Sequence, residues 1–361
     1  MDVLFGLPVL GFVFQFLAYL VDAVFTTNLP AQTLQLATPI ALGALCGVMN
    51  ERSGIVNIGI EGMMLTSAFV GFMAAVVVSE AMPATPGPIF GITPALIVGL
   101  LAAVGSGMLV SALHAWLSIS VRADQIISGT VINITALGLT AYLNRLIRPS
   151  GSAGTFDVIR PPEELLNLPL VGWIFRMFLT SGPITTSVII LVVILQILLF
   201  RSRWGLRTRA VGEHPRAADT VGIDVIRVRY RNVILGGVFA GLAGAWLTLE
   251  FNASFQNGMT ANRGFIALAA VIFGRWTPIG AFGGALLFMV SEALGIAIRS
   301  NPPPGDLGVF LSGVQSSFPS IYNNFFGALP YLLTLIVLAG VVGRSVPPAA
   351  VGRPYVKEGA S

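Results

Sequence analysis

Long apolar runs separated by short polar breaks fill the chain, and one break is much longer than the others. Windows such as 94–113, 185–200 and 232–249 contain no charged residue. Roughly 17–25 residues of helix cross the hydrocarbon of a bilayer. Backbone groups in lipid must be satisfied internally, which leaves helices or a closed barrel. Strict alternation of apolar and polar positions is absent, so the pattern predicts helices. Ten spans are expected, over residues 8–25, 32–49, 57–79, 93–116, 125–147, 184–200, 232–251, 264–274, 278–298 and 328–342. The eighth is too short to cross unaided. It is expected to be a half-helix or re-entrant piece, which is tolerated only where protein surrounds it. The fold class is therefore all-α: one polytopic transmembrane domain over 1–361, with no soluble domain of size.

Composition agrees with this pattern. The chain is 55% hydrophobic and 10% charged, against about 25% charged in soluble domains. The net charge of +4 comes from nineteen arginines and a single lysine, Lys357. In a soluble protein this balance would suggest nucleic acid, but here the arginines lie between spans and report topology, with no nucleic-acid partner expected. Placing 201–231 in the cytosol and alternating outward leaves fourteen basic residues inside and six outside, the latter being Arg145, Arg148, Arg160, Arg176, Arg263 and Arg299. Both termini are then cytosolic. The amino terminus lacks a basic leader region and reads as a retained first span. The single cysteine, Cys46, lies in an apolar run, so no disulfide framework is possible.

Two segments, 149–182 and 301–326, are expected outside the membrane. The first holds WIFRMFL, which suits an amphipathic helix at the interface. The second opens on NPPPGD, which cannot be helix interior. They read either as a receiving surface for an external partner or as simple links. Small residues at GxxxG spacing (Gly43/Gly47, Gly237/Gly241, Gly280/Gly284) and the looser pair Ser67/Gly71 mark close helix packing. No internal repeat is visible.

Catalytic motifs are missing. There is no P-loop, no HExxH, no GxSxG and no metal-spaced cluster. Neither an enzyme nor a bound cofactor or metal is expected in this chain.

The long polar break, 201–231, contains eight arginines. Pro215 suits the first turn of a helix and Gly222 suits its left-handed stop. A helix over 215–221 is too short to stand alone in water and must lean on something. Ala217 and Ala218 give it a slim profile for entering a groove. Arg207, Arg209 and Arg216 suit carboxylates on a partner, and Glu213 and Asp219 flank the same turn. A generic basic loop would explain the arginines but not the capped helix.

At these residues a resemblance emerges. GLRTRAVGEHPRAADTVGI (205–223) resembles the coupling-helix region of bacterial ABC importer permeases, the family serving branched-chain amino acids, ribose and related sugars, and nucleosides. PIALGALCGVMNERSGIVNIGIEGMML (39–65) and NRGFIALAAVIFGRWTPIGAFGGALLF (262–288) agree with it. ERSGIVNIGIEGMM and the ending LPYLLTLIVLAGVVGR are most similar to the simple-sugar and nucleoside branch. The resemblance spans most of 30–355. It implies a bacterial inner-membrane complex: ATP-binding subunits that carry ATP and Mg, a second and often different permease chain, and an external substrate-binding protein or lipoprotein. It also implies import, most closely of nucleosides, with ribose or another sugar as the alternative. From a different class, a self-sufficient secondary transporter or channel would need coupling-ion sites and no motor.

Candidates for the transport path follow from polar residues within spans. Asn57 and Glu61, four apart, are expected on one face of the third span, with Glu61 about a turn from its cytosolic end. Ionisable groups in a membrane are functional candidates, although tying helices together is the alternative. Gln125, Thr130 and Asn133 share a side of the fifth span and suit a sugar hydroxyl, a base edge or a neighbouring helix. Glu250 ends the seventh span. Phe251, Phe255 and Phe265 suit stacking on a base or a place in the interfacial aromatic belt.

Overall fold

A computed structural model describes residues 8–25, 29–82, 85–87, 89–147, 151–158, 163–166, 168, 172, 175, 178, 181–340 and 345–356. Among these, every regular element is helical. In chain order they are α1 (Pro8–Phe25), α2 (Leu29–Arg52), α3 (Ile60–Ala81), α4 (Pro94–Ala115), α5 (Gln125–Ile147), a single turn at Glu163–Leu166, and α6 (Pro183–Arg201). Then follow α7 (Arg203–Glu213), α8 (Pro215–Thr220), α9 (Val225–Ala245), α10 (Arg263–Phe273), α11 (Pro278–Ser300), α12 (Asp306–Ser317) and α13 (Pro319–Gly340). Among the described residues, seven helices are long and apolar enough to cross a membrane: Leu29–Arg52, Ile60–Ala81, Pro94–Ser120, Gln125–Ile147, Pro183–Arg201, Val225–Phe251 and Pro278–Ser300.

The chain divides into two compact units, and the division falls within α2 and α11. One unit holds residues 1–37, 160–181 and 286–343; the other holds 38–159, 182–285 and 344–361. In the smaller unit, α12 packs on α1. Leu307 N donates to Gln15 Oε1 at 2.9 Å, and Phe12 stacks on Phe310. The helices α12 and α13 occupy most of 301–326, a segment expected outside the membrane as a receiving surface or a simple link. Pro303 and Pro304 do bar helix at its start, but Asp306 opens a new one, and α13 begins at Pro319 rather than 328. Most of 149–180, with the expected interfacial helix, lies outside the described residues.

The larger unit is built on α3, α4 and α9. The last two lie antiparallel and nearly touching. A Cβ added to Gly107 would sit 2.5 Å from Gly237 O, one on Gly237 would sit 2.5 Å from Gly107 O, and one on Gly241 would sit 2.6 Å from Val104 Cα. Glycine at these positions lets the backbones meet, as the small-residue spacing implies. Ser111 Oγ locks the seam by donating to Val233 O at 2.5 Å. Each helix ends in a π turn that begins at the Trp of an Ala-Trp-Leu sequence: Trp116–Ser120 after α4 and Trp246–Phe251 after α9. Gly43 and Gly47 of α2 receive Ala267 and Val271 of α10 in the same way.

Helix starts are capped where the sequence supplies a short polar side chain. Thr93 accepts from Leu96 N, Asp124 from Ile126 N and Ile127 N, Ser202 from Gly205 N, and Asp224 from Arg227 N.

Candidate translocation cleft and docking face

The chain between α2 and α3 is not helical. Helix α3 starts at Ile60, and residues 53–59 form two turns joined by irregular chain inside the larger unit, so Asn57 and Glu61 do not share a helix face. Irregular backbone at membrane depth needs partners within the protein, and three expected path residues supply them. Gln125 Oε1 accepts from Val56 N at 2.7 Å. Asn133 donates to Ile58 O at 3.0 Å and accepts from Gly62 N at 2.8 Å. Asn57 Oδ1 accepts from Gly59 N at 3.0 Å. His114, buried in α4, contacts Val56 O through Nε2 at 2.9 Å and Ser128 Oγ through Nδ1 at 3.1 Å. Because a carbonyl only accepts, Nε2 carries the proton.

Glu61 therefore lies deeper than the expected single turn. It is level with Asn133, eight residues along α5 from Gln125, or about 12 Å at 1.5 Å per residue. At that depth α10 begins. With 11 residues it is about 16 Å long, roughly half the hydrocarbon thickness. Its first amides have no intrahelical acceptors, and Glu61 supplies them: Oε1 accepts from Asn262 N at 2.9 Å and Oε2 from Gly264 N at 2.6 Å. The carboxylate also meets the positive end of the helix dipole. Arg263, expected outside the membrane, stands at this same junction and donates to Met259 O at 3.3 Å. The segment 252–273 runs from the far end of α5, where Asn144 donates to Asn257, to the end of α2, where Arg52 Nε donates to Trp276 O at 2.7 Å. The eighth segment thus traverses the unit as loop plus half-helix.

A cleft of about 270 Å³ opens beside this junction, lined by Glu61, Asn133, Leu137, Thr260, Asn262 and Phe265 among others. The Phe265 ring is 43% exposed. Glu61, Asn133 and Phe265 are thus brought together from the expected set, with a carboxylate, an amide and an aromatic face around one space. The remaining candidates lie elsewhere. Thr130 Oγ1 back-bonds to Ile126 O on its own helix. Glu250 caps α6, accepting from Ile184 N, Thr185 N and Thr185 Oγ1, with Trp246 Nε1 bonded to the same hydroxyl. Phe251 stacks on Trp246, and Phe255 packs edge-on to Phe69.

The polar break folds into two helices, where the sequence predicts one. Helix α7 packs against α6 so closely that a Cβ on Gly205 would lie 2.2 Å from Leu198 O and Leu199 O. It stops at His214 because Pro215 disfavours helical geometry in the preceding residue. Helix α8 ends in a Schellman motif: Ile223 N donates to Ala218 O, Gly222 N donates to Asp219 O, and Gly222 has φ +81°. Ala218 is buried with Val211, Val225 and Val228, so it faces its own chain, while Arg207, Arg216 and Ala217 stand exposed with Leu206 and Val221. Asp219 and Pro215 are half-buried. Arg209 lies over the Phe200 ring at 5.1 Å, and Glu213 Oε2 accepts from Ala349 N at 3.0 Å.

This end of the larger unit gathers the expected basic loops. Arg52 donates to the carbonyls of Arg275 and Trp276, Glu51 accepts from Trp276 Nε1, and Arg353 O accepts from Arg229. Arg275 and Trp276 are consecutive left-handed residues, φ +51° and +54°, a costly conformation for side-chain-bearing residues that Glu51 and Arg52 hold in place. Sequence reasoning passed over Glu51 and Arg52. Their signal is the polar triplet Asn-Glu-Arg closing an otherwise apolar span.

A half-helix opening at a polar cleft, in a chain with seven described helices long and apolar enough to cross a membrane and a short capped helix in its arginine-rich break, fits a multi-pass membrane protein of solute transport. The chain belongs to the family described as branched-chain amino acid transport system, permease component, whose model matches residues 29–343. It is 39% identical over 332 residues to the guanosine ABC transporter permease protein NupQ of Bacillus subtilis, covering 90% of this chain and 95% of that one. It is 36% identical to the nucleoside ABC transporter permease protein NupC of Lactococcus lactis (91% and 96% covered), and 34% identical to the putative glucose ABC transporter permease protein TsgC13 of Haloferax volcanii (92% and 99% covered). No solved structure matches. The chain is a transport component rather than an enzyme.

Proposed function

We propose that this chain is one membrane-spanning subunit of an ATP-driven importer of nucleosides in the bacterial inner membrane. The observation that carries the reading is the likeness, along nine-tenths of both chains, to permeases named for guanosine and for nucleosides. ATP and Mg belong to separate ATP-binding subunits. A second permease completes the path, and an external binding protein or lipoprotein delivers the solute. Both termini and the arginine-rich end face the cytosol, with ten passages through the membrane if the half-helix segment is counted as one. Exposed Ala217, Arg207 and Arg216 meet the ATP-binding subunit, and α8 transmits its closure. Such transmission requires contacts that differ between two states. The cleft at Glu61 and Phe265 borders the solute path, its carboxylate offered to ribose hydroxyls and its ring to a base.

Labelled guanosine uptake in cells with and without the gene tests the substrate, with excess unlabelled uridine, ribose or leucine as competitors. Gene-dependent uptake reduced by uridine alone is the expected result. Competition by ribose would favour the second reading, a simple-sugar permease, which the likeness to the glucose permease supports. No dependence of guanosine uptake on the gene would overturn the nucleoside assignment.

A further inference from the structure

Residues 345–356 cross the arginine-rich end as a strap with no helix or strand of its own. At one end, Ser345 Oγ donates to Ile272 O at 2.9 Å, in the last turn of the half-helix α10. Next, Ala349 N donates to Glu213 Oε2 at 3.0 Å and Ala350 N to Gly212 O at 2.9 Å, at the close of α7. Gly352 N donates to Gly54 O at 3.2 Å, just beyond α2. Arg353 O accepts from Nη1 of Arg229, whose side chain is 2% exposed and whose Nε and Nη2 have no other acceptor among the described residues. A buried guanidinium without acceptors is costly, so Arg229 strongly favours a docked strap. At the other end, Tyr355 packs against the cluster of Val211, Ala218, Val225 and Val228 that seats α8. Tyr355 also forms one wall of a groove of about 620 Å³ beside α8, with Asp219, Gly222 and Asp224.

We infer that this strap is part of the coupling machinery, joining α8 to the half-helix α10 and so to the cleft at Glu61. Helix α8 has six residues and one buried side chain, too little to hold its own position. Its seat is completed by Tyr355, and the same twelve-residue segment is bonded to the end of α10. A push on α8 is thereby delivered to the half-helix through a short length of backbone held at Ser345, Ala349, Ala350, Gly352 and Arg353. Tyr355 acts as a positioning residue, not a contact for solute. The inference rests on α8 being the docking helix.

The test uses the complete transporter, with both permeases, the ATP-binding subunits and the binding protein, reconstituted in vesicles. The readout is guanosine imported per ATP hydrolysed. Wild type must import guanosine, or the nucleoside reading itself fails. Ala217→Trp must lower the ratio, or α8 is not the docking helix. Given both, Tyr355→Ala and removal of 345–361 are expected to lower the ratio by about fivefold or more, the size of effect for a two-state element losing roughly 1 kcal/mol of differential contact. Tyr355→Phe keeps the ring that packs on the cluster seating α8, so its ratio is expected to lie well above that of Tyr355→Ala. An unchanged ratio in Tyr355→Ala overturns the inference. So does a smaller yield of assembled complex whose ratio is normal, since that outcome makes the strap merely structural.

Discussion

Replacing Glu61 tests whether a carboxylate holds the half-helix inside the membrane. It accepts the amides of Asn262 and Gly264 at 2.9 and 2.6 Å. Leucine at 61 leaves both donors without an acceptor, at about 1–3 kcal/mol each, and removes the charge at the helix terminus, worth about 0.3–1 kcal/mol. The carboxylate borders the cleft, so water screens part of this and the lower half of each range applies. The expected loss is about 2–4 kcal/mol for Glu61→Leu. Glutamine keeps one carbonyl oxygen and loses the charge, so Glu61→Gln is expected to cost about 1 kcal/mol. Cys46 is the chain's only cysteine and is fully buried, so a thiol-reactive dye reports unfolding of the detergent-purified chain. Midpoints should fall in the order wild type, Gln, Leu. If the Leu variant melts with wild type, the carboxylate is not the cap of α10, and the reading of the junction is wrong.

Three further substitutions probe other parts. Gly205→Ala places a methyl 2.2 Å from two carbonyl oxygens of α6; it should cost about 2 kcal/mol through overpacking and lower the same dye-reported midpoint, whereas Gly313→Ala, with open space at its Cβ, should not. Phe265→Ala removes a 43% exposed ring and is expected to raise the half-saturating guanosine concentration about tenfold, from the loss of 1–3 kcal/mol of base stacking, with the melting midpoint nearly unchanged. Ala217→Trp is expected to abolish uptake while the chain still reaches the membrane at normal level by immunoblot, because it adds bulk on the exposed side of α8 and none to its seat.

Much of the helical pattern was legible because apolar runs longer than the bilayer have few other fates. The half-helix was legible from length alone. What paired with it was not, since Glu61 and Gly264 stand 203 residues apart and no local pattern links them. Residues 57–59 were read as the start of the third span because an apolar run interrupted by glycine looks alike whether helical or irregular when all of it is buried. For the polar residues Gln125 and Asn133 the sequence left a solute and a neighbouring element equally open, and the fold shows both bonding the backbone between Val56 and Gly62. Ala217 and Ala218 were indistinguishable in a six-residue helix, and only the fold turns one outward and the other in. Gly205 argued against helix by propensity; its lack of a side chain is what lets α7 lie on α6.

The glycine contact between α4 and α9 also has a consequence for how the pair can move. Gly107 and Gly237 are 130 positions apart in the chain, as are Ala115-Trp116-Leu117 and Ala245-Trp246-Leu247. Each glycine meets its own counterpart, so a half-turn about an axis between them carries one helix onto the other, end for end, π turn onto π turn. The pair therefore has two equivalent ends, and a tilt about the glycine contact that opens one end closes the other.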